Sequence, residues 1–175
     1  MGNSTSSDKR VSDINAESAR PRVIVAEDEA LIRLDLVELL EDQGYEVVAQ
    51  ASDGEEAVSL ARELEPDLVV MDVKMPKMDG ITAADKIAEE RICAVVMLTA
   101  FSQRDLIERA KEAGAMAYVV KPFDVSDVVP AIEIALARFQ EIRAVEDEIA
   151  DLEERLESRK LVDQAKGMLQ SSLGL

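Results

Sequence analysis

The apolar run Leu68-Val69-Val70-Met71 is stopped by an acid, Asp72, and then by a segment holding Pro76. A run of that kind reads as a strand buried on both faces, and an ionised carboxylate does not belong there, so Asp72 marks where the strand leaves the core. Three other apolar runs end in the same way. Val23-Ile24-Val25 leads to Glu27-Asp28-Glu29, Val95-Val96-Met97-Leu98 to Thr99, and Tyr118-Val119-Val120 to Lys121. A further strand is expected over Tyr45 to Ala49. Helical periodicity separates these runs over Ala30 to Asp42, Glu55 to Leu64, a stretch after Asp79-Gly80, and about Ser102 to Ala113. Short strands alternating with amphipathic helices predict an α/β fold, a flavodoxin-like, doubly wound, five-stranded parallel sheet.

In an open parallel sheet the carboxyl ends of the strands converge on a crevice that binds ligands. Glu27, Asp28, Asp72, Thr99 and Lys121 would all stand on that rim. Thr99 alone is more simply a helix cap; five polar residues at the strand ends of one alternating pattern are not explained that way. Crowded carboxylates raise one another's pKa unless a cation joins them. A hard divalent ion, Mg²⁺ above all, suits such a site because it keeps waters and needs few carboxylates plus a phosphate oxygen. Lys121 then offers a point charge to a phosphoryl group and Thr99 a hydrogen bond.

The quoted segments Val-Ile-Val-Ala-Glu-Asp-Glu, Met-Asp-Val-Lys-Met-Pro-Lys-Met-Asp-Gly, Leu-Thr-Ala and Tyr-Val-Val-Lys-Pro-Phe resemble the receiver domain of two-component response regulators, over residues 21–137. The resemblance implies that a sensor histidine kinase phosphorylates Asp72. It implies Mg²⁺ held by Glu27, Asp28 and Asp72 with the Lys74 backbone carbonyl. Thr99 and Lys121 would contact the phosphoryl group, Tyr118 would be an aromatic switch, and the Lys121–Pro122 bond would be cis. The family usually has Asp-Asp where this chain has Glu27-Asp28.

The final helix is expected to start at Asp124 or Ser126, with Pro130 tolerated near its beginning, and to run on without a stop. Ile142, Val145, Ile149, Leu152 and Leu156 recur at spacings of three and four, the a/d seam of a coiled coil over residues 138–158. β-branched residues at a with Leu152 at d favour a parallel pair, which makes a homodimer the expected partner state. Beyond it, Arg159-Lys160-Leu161-Val162-Asp163-Gln164-Ala165-Lys166-Gly167-Met168-Leu169 resembles the opening helix of an ANTAR domain, an RNA-binding antiterminator module, over residues 159–175. That module is a three-helix bundle, so the chain is expected to be a truncated product. The resemblance implies a phosphorylation-dependent regulator of transcription antitermination that binds RNA hairpins, with Arg155, Arg159, Lys160 and Lys166 as the candidate phosphate contacts.

Charge limits the partners. A net charge of -17 from 20 basic and 37 acidic residues repels polyanions and anionic membrane, so RNA must be met by a local basic patch. The single Cys93 reads as a small hydrophobe and fits a reducing cytoplasm. No apolar run is long enough to span a bilayer. Residues 1–20 are polar and aperiodic, and are expected to be a disordered leader. The alternative reading is a phospho-regulated coiled-coil interaction module without RNA binding. An aspartyl phosphatase is disfavoured because Lys74 stands where such enzymes carry a second Asp. The chain is therefore not read as an enzyme, apart from the receiver's own phosphorylation and dephosphorylation. A DNA-binding regulator lacks its helix-turn-helix.

Overall fold

All strand pairs are parallel, and the chain reverses its direction of travel across the sheet once. The computed structural model describes residues 20–100 and 104–172, with 104 and 161–172 by backbone alone. β1 (Arg22–Ala26), β2 (Glu46–Ala51), β3 (Leu68–Asp72), β4 (Ala94–Ala100) and β5 (Ala117–Lys121) lie in the order β2-β1-β3-β4-β5. The helices are α1 (Ala30–Asp42), α2 (Gly54–Leu64), α3 (Gly80–Glu89), α4 (Arg104–Glu112) and α5 (Val125–Ser172). This is the flavodoxin-like sheet that the alternating pattern predicts. β-α-β crossovers are right-handed, so the reversal at β2 puts α1 on one face and α2, α3 and α4 on the other.

The two faces follow from strand alternation. Ile24, Val69, Met71, Val95 and Met97 pack with Ala57, Ala61, Ala83, Ala84 and Ile87 under α2 and α3. The opposite set, Val23, Val25, Leu68, Val70, Val96 and Leu98, is equally buried, as are Leu36 and Leu40 of α1 and Val128, Ile132 and Ala135 of α5. Cys93 is buried in the α2/α3 cluster, and burial pushes its thiol up to about 12, which agrees with a packing role.

Local chemistry sets the helix ends. Asp53 caps α2 by accepting from Glu56 N at 2.8 Å, and Asp79 caps α3 by accepting from Thr82 N at 2.7 Å. Asp124 precedes α5 and accepts from Ser126 N at 2.9 Å, so the start lies at the first of the two expected positions. Pro130 sits inside that helix and Lys121–Pro122 is cis, as the resemblance implies.

One expected boundary needs adjustment, and two expectations fall outside the described residues. β2 begins one residue later than Tyr45 and continues to Ala51, with a register irregularity opposite Val23 and Ile24. The Ser102 start of α4 and the leader through residue 19 lie outside the described residues. The leucines of α1 differ in burial: Leu36 is 0% exposed, whereas Leu31 is 79% and Leu34 51% exposed. At 3.6 residues per turn Leu31 lies on the side of α1 opposite Leu40, and Leu34 lies beside Leu31, while Ile32 and Arg33 of the same turn are part-buried.

The chain divides into two compact units, one ending at Arg138 and the other beginning at Phe139, and α5 contributes to both. Among the described residues no helix is long and apolar enough to cross a membrane.

The burial contrast in α1 makes a test. Leu36→Ala should cost roughly 2–5 kcal/mol in denaturant unfolding, and Leu31→Ala within about 0.5 kcal/mol. Equal losses would contradict the placement of the helix.

Candidate functional site

Sheet order decides which strand ends meet. β1 lies between β2 and β3, and the chain leaves it in one direction and reaches β3 in the other, so the crevice opens beyond the ends of β1 and β3. Glu27 and Asp28 follow β1, Asp72 ends β3, and Lys121 ends β5. One carboxylate oxygen from each of Glu27, Asp28 and Asp72 lies within 4.8 Å of the others. Lys121 Nζ donates to Glu27 Oε2 at 2.7 Å and to Asp72 Oδ2 at 3.1 Å.

The site is unevenly buried. Glu27 is fully buried and Asp72 is 9% exposed, while Asp28 faces solvent. Burial pushes the Glu27 carboxyl up to about 7; the hydrogen bond from Lys121 opposes this and the charge of Asp72 adds to it. Burial alone would lower the Lys121 ammonium, but its hydrogen bond to Glu27 and the charge of Asp72 outweigh that and raise it. With all groups ionised the cluster carries three negative charges against one positive, a deficit of two. A divalent cation with oxygen ligands matches both that deficit and the donor type.

The remaining expected residues are placed as follows. Thr99 is buried at the same end of β4, and its hydroxyl donates to Ala100 O at 3.2 Å. The side chain of Lys74 is exposed, on the loop that follows Asp72. Tyr118 is part-exposed on β5, with Lys111 Nζ 6.0 Å from its ring centroid. Arg155, Arg159 and Lys160 are exposed on α5, and Arg155 Nη2 is 3.1 Å from Asp151 Oδ2 one turn away. The side chain of Lys166 lies outside the described residues.

Sequence reasoning missed Arg33. Its Nη1 donates to Glu27 O at 2.6 Å and its Nε to Gln50 Oε1 at 3.3 Å, which ties the β1–α1 turn to β2. A signal existed: a cation in the first turn of a helix opposes the macrodipole, so it is better explained by a tertiary contact.

The receiver geometry has close counterparts. The sequence model for "Response regulator receiver domain" matches residues 23–133. The chain belongs to the response regulator family. It is 62% identical over 162 residues to the "Transcriptional regulatory protein PdtaR" of Mycobacterium tuberculosis, a match covering 92% of this chain and 79% of that protein. It is 39% identical over 116 residues to the chemotaxis protein CheY of Bacillus subtilis, covering 66% and 97%. Among solved structures, the receiver domain of the response regulator NarL from Mycobacterium tuberculosis superposes with a TM-score of 0.64 at 27% identity, covering 67% and 97%. As a two-component response regulator the chain implies a sensor kinase that supplies its phosphoryl group.

Glu27 gives the response regulator a pH dependence. Its folded pKa of about 7 lies above the usual 4.5, so the folded state holds the proton more tightly across that window. Its contribution to stability is therefore greatest below 4.5, falls as pH rises from there to about 7, and then levels, a change of at most roughly 3 kcal/mol. Without divalent cations, Glu27→Gln should flatten the fall in unfolding free energy between pH 5 and 8. A wild-type slope in the variant would contradict the assignment.

Proposed function

We propose that Asp72 accepts a phosphoryl group from the histidine of a sensor kinase, and that the modified state reaches the output through α5. The observation that supports this most is the Lys121 ammonium bridging Glu27 and Asp72 at the carboxyl ends of β5, β1 and β3. Glu27, Asp28 and Asp72, with the Lys74 carbonyl, would hold Mg²⁺. When bound, that ion neutralises charge on the transferring oxygens.

The chain's own groups do the rest. An Asp72 oxygen attacks phosphorus, the phosphorus–nitrogen bond of the kinase phosphohistidine breaks, and the electron pair stays on the imidazole. Burial keeps water from competing at Asp72. Lys121 is positioned to exchange its bond to the free carboxylate for one to a phosphoryl oxygen. Thr99 bonds only the neighbouring Ala100 carbonyl among the described hydrogen bonds, so a small rotation frees its hydroxyl for the phosphoryl group. Tyr118, part-exposed at β5, would follow by turning inward.

In this reading residues 21–137 are the receiver, 138–158 a coiled-coil linker and 159–175 the first helix of an ANTAR region that binds RNA hairpins and lets transcription pass a terminator in the cytoplasm. The name of the Mycobacterium tuberculosis relative, a transcriptional regulatory protein, supports an output in transcription. Arg155, Arg159, Lys160 and Lys166 would meet phosphates. A second reading, a coiled-coil interaction module without RNA binding, is favoured by the bond that occupies Arg155 within its own helix.

The seam residues Ile142, Val145, Ile149, Leu152 and Leu156 are 48–56% exposed, as expected of a helix awaiting a second copy. Flanking positions limit that pairing. In a parallel, in-register pair Glu148 would face Glu153 of the other copy, and Arg155 would face Lys160. Each like-charge pair opposes association by roughly 0.2–0.5 kcal/mol.

Asp72→Asn should abolish labelling by acetyl phosphate or the cognate kinase, followed by phosphate-affinity electrophoresis; a labelled variant would remove Asp72 from the mechanism. Ile149→Asp with Leu152→Asp should shift sedimentation to monomer. The unmodified chain should dimerise more strongly as salt screens its flanking charges. A dimer indifferent to both changes would rule out this seam.

A further inference from the structure

We propose that Gly54, at the start of α2, is a positioning residue for the phosphorylation site: its bare α-carbon and its N–H seat the Val73–Asp79 loop that carries the Lys74 carbonyl. The inference rests on the function proposed above. The loop leaves β3 beside Asp72 and is held at both ends. Val73 N donates to Leu98 O at 3.1 Å, and Gly80 N donates to Val73 O at 2.7 Å. Its far corner is held from another element, because Gly54 N donates to Met78 O at 3.0 Å. Lys74 lies between these anchors, so the position of its carbonyl depends on both.

The reason for glycine at this position is space. A Cβ on Gly54 would stand 2.2 Å from Met78 O and 2.8 Å from Met78 C. Both are backbone atoms, so no side-chain rotation relieves the overlap. Gly54 has no positive φ, and alanine is the better helix former by about 1 kcal/mol. Conformation and propensity therefore both permit alanine, and only the approach of the loop forbids it.

The α2 side of the contact is the stiffer one. The buried Asp53 caps Glu56 N at 2.8 Å and lies 3.7 Å from Lys77 Nζ, while Ser52 N and Oγ donate to Glu56 Oε2 at 3.3 Å. The loop already holds Lys77 at φ 65, a left-handed conformation that L residues keep only under restraint. A collision at Gly54 should therefore displace the loop and leave the helix in place.

The test uses the full chain and Mg²⁺ as the probe. Gly54→Ala should weaken Mg²⁺ binding tenfold or more by calorimetry, with amide shift changes concentrated at residues 73–79. Ala57→Gly, one turn along the same helix, lowers stability, makes no backbone hydrogen bond to the loop, and should bind Mg²⁺ as the parent chain does. If Gly54→Ala does not fold, adding Met78→Gly frees the loop and should restore folding but not Mg²⁺ affinity. Parent-like affinity in either Gly54→Ala protein would overturn the proposal, as would an equal loss in Ala57→Gly. A parent chain that binds no Mg²⁺ would overturn the site reading itself, a result distinct from a parent that binds and a variant that also binds.

Discussion

One ammonium between two carboxylates governs this molecule. Glu27 is fully buried and Asp72 nearly so, and neither could remain ionised side by side without a cation within hydrogen-bond reach. Lys121 supplies it from a strand that is not adjacent to either of theirs, since β4 lies between β3 and β5. The contact therefore exists only when β1, β3, β4 and β5 stand in this order. It links sequence positions 27, 72 and 121, and its geometry reports the register of those four strands.

Two glycines let the backbone close around that pair. Gly80 passes the end of β3 so closely that a Cβ would lie 2.0 Å from Asp72 O, and Gly54 approaches Met78 in the same manner. Arg33 adds a third restraint by binding the Glu27 carbonyl. The carboxylates are thus aimed by backbone contacts on three sides. Close backbone packing therefore adds to the ion pairs in fixing where the carboxylates stand.

Much of this was legible beforehand because a buried parallel strand has a simple signature, an apolar run cut by a polar residue. That signature located all four rim segments, and with them Glu27, Asp72, Thr99 and Lys121. Helix faces were less legible. Leu31 and Leu34 are as apolar as Leu36 and Leu40, yet at 3.6 residues per turn they fall on the far side of α1, so apolar content alone overstates the buried face. Arg33 and Gly54 act through backbone atoms of segments distant in sequence, which no local pattern encodes. The direction of the Thr99 hydroxyl is a rotational choice set by its neighbours and is equally absent from composition or spacing.

α5 shows the same limit in reverse. Val128, Ala135, Ile142, Ile149 and Leu156 follow one another at intervals of seven, a single line in the sequence. The first two are fully buried in the receiver unit, whereas the last three are about half exposed in the unit that begins at Phe139. One periodicity thus serves two environments: against the sheet it forms core, and past Arg138 it leaves apolar surface that a soluble helix keeps only if something covers it for part of its working life. The small Ala135 and large Ile149 fit that division, since sheet contact needs close approach and a two-stranded seam needs bulk. Flanking charges that oppose an in-register pair keep such a seam from closing permanently. A helix that is marginal by itself and marginal as a pair holds an equilibrium that a change of one or two kcal/mol moves from mostly open to mostly closed.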